Sequence, residues 1–555
     1  MATSWKDLLS TFDTKVKTPT EHRIEHAIPE LHGDESPCVG IIFTDTTVLS
    51  SKFGLNRDEI RQRVQDFIHQ SERIGRHWVL LDASETGTSI SQQPDKSWYS
   101  YHKLLHSFIK EKQIASNSST SVFIIGGEDV ISVPEKVFNL PQSSEDYILQ
   151  VDMWYCFPIG FDLEEELETL ADTLEEYDAD LFADRLLSNA TCNVSRLPLD
   201  NGTDCGEFED TIGSYFDRVI SNQGDIYTDS VLMTTASQWL KESSFMVEGI
   251  PVLQCHENPS YSYNGMYVAP YLSIQNREGL GDYCNSLEEA DYLLFNMHGS
   301  ERPDVSGYLG IGPQCESYVA FDIPLLDFCK SKILTATSCY GARYKGYGRQ
   351  ASLLLSAIYQ NFLLFTGSSN VALGAVSEHY PCGCSETLMK IYTEQLLYGI
   401  PAGEALLRSK IEYFTNFYPL ELGYSYFTIC EFNVFGDPTL ECSCHNNLLL
   451  TKSFNSSIAK PTCSHNSSKR VLSLNEAYER VRDLVDNNIE EIAIRLGNQL
   501  FENYSFVNLS FESVDRRINH NELVGYVFVY AYAKTGKVYA HTDLQGNLNI
   551  AFYTK

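Results

Sequence analysis

Two apolar runs in this 555-residue chain end in residues that can do chemistry. Tyr292-Leu293-Leu294-Phe295-Asn296-Met297 leads directly into His298-Gly299-Ser300, and Lys332-Ile333-Leu334-Thr335-Ala336-Thr337-Ser338 into Cys339-Tyr340-Gly341-Ala342. Short apolar runs broken by glycine read as buried strands of a parallel sheet. A residue at the carboxyl end of such a strand faces the crevice where open α/β sheets bind ligands. Neighbouring strands would thus deliver an imidazole and a thiol to one place, the minimum equipment of a cysteine hydrolase.

Once ionised, a thiol is a strong nucleophile, and a nearby imidazole can favour the thiolate or protonate a leaving amine. Gly299, directly after the histidine, lets a backbone N–H approach a substrate carbonyl. With the N–H of Cys339 it would form an oxyanion hole, in which a single donor is worth roughly 3–4 kcal/mol of barrier. A lone histidine or cysteine at a strand end is more often a packed or solvated residue. The two motifs gain weight from each other, being 41 positions apart and each with a small neighbour.

These residues resemble the caspase, legumain and gingipain superfamily of cysteine peptidases. His-Gly follows one apolar block and Ser-Cys-x-Gly another, and the histidine precedes the cysteine by a spacing near the ~50 residues of caspases. The gingipain family is the closest likeness. His298-Gly299-Ser300-Glu301 is similar to its His-Gly-Ser-Glu segment, and Phe435-Gly436-Asp437-Pro438-Thr439-Leu440 to the element that closes its catalytic domain. Val122–Gly127 with Val133-Pro134, and Ser195-Arg196-Leu197-Pro198, resemble further landmarks, so the likeness spans roughly residues 120–445. It implies a Cys339–His298 dyad that needs no third member and no cofactor or metal. It also implies an acidic residue in the substrate pocket after the strand Val231–Ala236, for which Glu242 and Glu248 are the candidates. A basic residue before the scissile bond is the expected preference. Gingipains carry an immunoglobulin-like domain after the catalytic one, and no such domain is legible here.

The expected fold is α/β: a caspase-like parallel-sheet sandwich in two adjacent subdomains, with a small C-terminal α+β domain. After an N-terminal segment, residues 1–37, the first subdomain covers residues 38–225. Val39–Phe43, Trp78–Asp82 and Val122–Ile125 read as its strands and Arg57–Ser71 as a helix between the first two. The second, residues 226–445, carries the candidate site on strands Ser230–Ala236, Tyr292–Met297, Ile333–Thr337 and Phe362–Gly367. An acidic insertion at residues 162–184 carries Leu163, Leu167, Leu170 and Leu174 at helical spacing. A Ser- and Asn-rich linker, residues 446–469, precedes the C-terminal unit, residues 470–555. There helical spacing gives way to strand-like runs at Phe506–Phe511, Gly525–Ala533, Val538–His541 and Leu548–Tyr553.

Composition narrows the partners. A net charge of −33, from 74 acidic and 41 basic residues, repels nucleic acid. No stretch reaches the ~18–20 apolar residues of a membrane span, and no signal peptide is visible at Met1–Lys6. Fifteen cysteines without a secretory signal suit reduced thiols in a cytoplasmic setting. Cys382-Gly383-Cys384, Cys442-Ser443-Cys444-His445 and Cys463-Ser464-His465 lack the common Cys-x-x-Cys spacing and read as thiols rather than zinc ligands.

The expected activity is therefore peptide-bond hydrolysis in protein or peptide substrates. A reactive thiolate inside a cell calls for restraint. Activation by a small molecule or protein that binds the acidic insertion or the C-terminal unit is expected, in a design suited to a stress-response or anti-phage effector. The alternative is a catalytically weak scaffold that senses a ligand or partner through its C-terminal domain.

Overall fold

The computed structural model describes most of residues 39–443 and the strands within residues 509–554; residues 1–38, 86–97, 162–178 apart from Glu166, 200–211, 444–508 and several shorter loop stretches lie outside the description. The N-terminal segment, the leucine stripe of the acidic insertion, the linker and the helical run before residue 509 therefore fall outside it, as do most of the candidate zinc motifs.

The chain is an α/β protein built on an eleven-stranded sheet. Its strands run, in spatial order, His77–Asp82, Val39–Thr44, Ser121–Ile125, Asn193–Leu197, Phe432–Gly436, Leu364–Ser368, Ile333–Ala336, Tyr292–Asn296, Val231–Thr235, Met266–Val268 and Ser262–Tyr263. The first five are mutually parallel. The next five are also mutually parallel. The two blocks meet antiparallel where Phe432–Gly436 pairs with Leu364–Ser368. One continuous sheet thus unites the two expected α/β halves, and the strand at their junction comes from the end of the second half.

The central strands are mostly apolar and buried along their whole length, as expected of a parallel sheet covered on both faces. Ser121–Ile125, Val231–Thr235, Tyr292–Asn296, Ile333–Ala336, Leu364–Ser368 and Phe432–Gly436 are buried at every position. The helix Arg57–Arg73 starts on an Asn56 cap whose side chain accepts from the Asp58 N–H, and it buries Ile60, Val64, Phe67 and Ile68 at helical spacing. In the second block the helices Leu353–Gln360 and Cys384–Leu397 belong to the same hydrophobic core.

Within residues 509–554 the strands Leu509–Asn519, Glu522–Tyr532, Gly536–Asp543 and Leu548–Thr554 pair successively in antiparallel register. The first runs on to Asn519, beyond the expected end at Phe511. The last pairs outward with Val376–Ser377, a short segment from the second α/β half.

Candidate active site

The parallel pairing of Tyr292–Asn296 with Ile333–Ala336 sets Tyr292 opposite Ile333 and Phe295 opposite Ala336. Both strands therefore end at the same edge, and both sequence-derived residues lie just past it. His298 is fixed by a two-way backbone bridge to Leu309: its N–H donates to Leu309 O at 3.1 Å and its carbonyl accepts from Leu309 N–H at 2.7 Å. Leu309 belongs to the hairpin Gly307–Ile311/Ser317–Asp322, whose Tyr308 and Phe321 rings pack on Phe295 at 5.1 and 4.6 Å. The imidazole lies against Trp239, with ring centroids 4.1 Å apart. Although the residue is only half-buried, its Nε2 is sealed from solvent without a hydrogen-bond partner among the described residues. Burial lowers the imidazole pKa from 6.5 to about 4, so it is neutral at pH 7.

Cys339 sits where the chain turns back. Tyr340 adopts φ +54°, a left-handed conformation that a bulky residue rarely takes, and Gly341 N–H closes the turn on Ser338 O at 3.1 Å. The turn is held by the loop after the next strand, since Ala342 N–H donates to Ser368 O at 2.9 Å and Tyr340 N–H to Asn370 O. The same loop grips the thiol. Ala372 N–H donates to Cys339 Sγ at 3.3 Å, and Sγ lies 3.5 Å from Ala372 O. Burial pushes the thiol pKa up to about 11, against the pull of the Ala372 N–H; a negative charge on Glu431 or Glu386 would add to the rise. The resting pair is a neutral thiol and a neutral imidazole rather than the ion pair that the residue types alone suggest.

Gly299 joins the two motifs. A Cβ at this position would lie 1.5 Å from Cys339 O and 3.1 Å from Cys339 N, so only glycine lets the two backbones approach so closely. Among the described residues, the N–H groups of Gly299 and Cys339 have no backbone acceptor. Behind the site, Thr337 Oγ1 donates to Asn296 Oδ1 at 2.7 Å, Asn296 Nδ2 to Ser243 Oγ at 3.0 Å, and Ser243 Oγ to Thr235 Oγ1 at 2.6 Å. This buried chain ties three strand ends and the helix Leu240–Met246 into one rigid floor.

Glu242 is buried on that helix. Glu248 is exposed beyond it, and its carbonyl accepts from Lys390 Nζ at 3.2 Å. The carboxyls near enough to act on the thiol are instead those of Glu431 and Glu386. Trp239, Ala372, Glu386 and Glu431 thus join the site without any signal in the local sequence around His298 or Cys339. A second hairpin, Glu135–Asn139/Asp146–Gln150, flanks the site: Ile148 O accepts from Asn370 Nδ2 at 3.0 Å, and Glu135 pairs with Lys345.

No cluster of metal-ligating side chains occurs among the described residues. No described helix is long and apolar enough to cross a membrane.

No protein-family model matches the chain, and no curated protein matches it. Among solved structures it is similar to the Arg-specific cysteine proteinase gingipain R, with a TM-score of 0.44 at 9% identity, over 95% of this chain and 100% of that one. It is also similar to a chain described as a protease, with a TM-score of 0.44 at 11% identity, over 94% of this chain and 98% of the other. At that level of likeness the case for an activity stands on the chain's own residues.

Proposed function

We propose that this chain is a cysteine endopeptidase in which Cys339 is the nucleophile and His298 the general acid and base. The observation that carries the reading is the contact of Gly299 with the Cys339 carbonyl, which joins the ends of two neighbouring parallel strands and sets two N–H groups without backbone acceptors beside a thiol and an imidazole. The neutral imidazole can take the thiol proton as Sγ attacks a scissile carbonyl carbon. The Gly299 and Cys339 N–H groups would hold the oxyanion. His298 would then give its proton to the leaving amine as the C–N bond breaks, and a water deprotonated by His298 would hydrolyse the thioester.

A basic residue before the scissile bond suits the net charge of −33 and the acids Glu242 and Glu248 on and just after the helix beside Trp239. A cytoplasmic setting suits the cysteines, since no disulfide links any of those among the described residues. Control through the C-terminal domain suits the pairing of its last strand with Val376–Ser377, which follow the loop that grips the thiol.

Cys339→Ala and His298→Ala should each lower cleavage of a basic-residue peptide library by at least about a thousand-fold, as removal of a member of a catalytic set does. Wild-type kcat/KM should hold through neutral pH and fall on the acid side as His298 protonates near about 4. A Cys339→Ala protein that still cleaved would overturn the assignment. The rival reading, a scaffold without activity, draws on the neutral state of the resting thiol. It would be favoured if a peptidyl electrophile left Cys339 unlabelled while labelling other cysteines.

A further inference from the structure

Glu431 ends the helix Leu422–Glu431 and is fully buried beside the loop that holds the thiol. Its carbonyl accepts from Ser369 N–H at 3.2 Å, where that loop begins. Its side-chain Oε1 lies 3.0 Å from Ser385 Oγ, and a backbone hydrogen bond from Leu373 reaches the same carboxyl. Ser385 in turn contacts Leu373 O twice, through N–H at 2.9 Å and through Oγ at 2.6 Å.

Counting hydrogens bears on the state of the acid. A serine hydroxyl has one proton to give, and a carbonyl oxygen has none. The Ser385 hydroxyl therefore divides its one proton between Leu373 O at 2.6 Å and Glu431 Oε1 at 3.0 Å. The other carboxyl oxygen, Oε2, is buried with no hydrogen-bond partner among the described residues. An ionised carboxylate would thus share the Ser385 proton at one oxygen and have no donor at the other, whereas a protonated acid can fill the Ser385 contact with its own proton.

We infer that Glu431 works as a neutral carboxylic acid: it closes a ring with Ser385 and Leu373 that positions Ala372 against the Cys339 thiol. The inference rests on the reading of Cys339 as the nucleophile and adds a positioning residue 92 positions downstream of it. Burial raises the Glu431 carboxyl well above its ordinary 4.5, in keeping with the proton count. The charged groups facing it are Glu386 on the helix Cys384–Leu397 and Lys410 on the helix Ala402–Phe417. Lys410 directs its Nζ to Phe432 O at 2.6 Å, and no ion pair joins it to Glu431 among the described residues. Burial lowers this lysine to about 8. A neutral Glu431 also spares the thiol a negative charge, which would disfavour the thiolate.

Loss of the proton would break the ring. The device is intact while Glu431 is protonated and fails as pH rises through its raised pKa, where the loop contact is lost.

The test uses full-length protein with Glu431→Gln and Glu431→Ala. A glutamine carboxamide can donate to Ser385 Oγ and accept from Leu373 N–H, as a protonated acid does. Infrared difference spectra of wild type against Glu431→Gln at neutral pH should contain the carbonyl stretch of a protonated carboxylic acid. Its absence would overturn the inference whatever the protein's activity. Alkylation of Cys339 by iodoacetamide, followed by mass spectrometry from pH 7 to 9, should keep the wild-type rate within about threefold in the Gln variant. In the Ala variant, which loses the ring that holds the Ala372 N–H against the thiol, it should fall several-fold at each pH. An unchanged rate in a folded Ala variant, or a Gln variant as impaired as Ala, would also overturn the inference. If iodoacetamide behaves as expected but neither the wild-type protein nor any variant cleaves peptides, the peptidase reading fails and the positioning role stands.

Discussion

At the scale of single residues, the site depends on how closely two backbones approach. The neighbour that Gly299 meets is backbone, Cys339 O, rather than a side chain that could swing aside. Gly299→Ala should therefore displace the Cys339 turn, and with it the two N–H groups of the oxyanion site. We expect kcat/KM to fall at least a hundredfold, the order of losing an oxyanion donor, with a loss of thermal stability of about 1–3 kcal/mol from the overlap. Steady-state kinetics and a melting curve on one preparation check both. At Gly281, on the helix Arg277–Glu289, a Cβ would meet nothing within 4 Å. It is the control, and alanine at that position should leave catalysis unchanged. The identities of His298, Gly299 and Cys339 could be read from their place after apolar runs. The protonation states could not, because they arise from burial and from Ala372, Glu386 and Glu431, which lie far along the chain from Cys339.

At the scale of elements, the first half of the sheet is secured by an ion pair. Arg196, fully buried on the strand Asn193–Leu197, makes two bonds to Asp152, at 2.7 and 3.0 Å. Its Nη1 also donates to Gly126 O, Gly127 O and Ile131 O, at 3.1, 3.3 and 2.8 Å. These bonds satisfy the guanidinium in a place where water cannot. The Gly126-Gly127 and Ser195–Pro198 segments, noted in the sequence as landmarks, thus act as architecture. Asp152→Asn would leave a buried cation short of its counter-charge and should cost about 3–5 kcal/mol in denaturant unfolding. An unfolding midpoint equal to wild type would contradict that account. Seven of the eleven strands of the sheet were legible as apolar runs bounded by turn residues; Asn193–Leu197, Phe432–Gly436, Met266–Val268 and Ser262–Tyr263 were not, being short or carrying polar residues such as Asn193, Arg196 and Asn433. The hairpin at residues 307–322 was not: it lacks a clean polar–apolar alternation, and its role, the Leu309 bridge to His298, exists only once the chain has folded.

At the scale of the molecule, the C-terminal sheet joins the second α/β half through Val376–Ser377. In antiparallel register Ser377 stands opposite Asn549 and Val376 opposite Ile550, which places the last strand of the chain a few residues beyond Ala372. An unpaired strand edge beside a peptidase site is where an extended substrate could add its own backbone, as peptides add to sheet edges elsewhere. With the C-terminal strand seated there, the two would compete. Directly opposed residues in such a pair have Cα atoms about 4.5–5.5 Å apart, within the span of a disulfide. Ser377→Cys with Asn549→Cys should therefore form a cross-link on mild oxidation, detectable as a joined peptide in a Cys339→Ala background. With Cys339 intact, the oxidised double variant should react at least tenfold more slowly with an arginyl peptide electrophile, and reductant should restore the rate. Each single-cysteine variant controls for oxidation elsewhere. A cross-link that forms but leaves labelling of Cys339 unchanged would mean that the C-terminal sheet sits beside the site without governing entry to it.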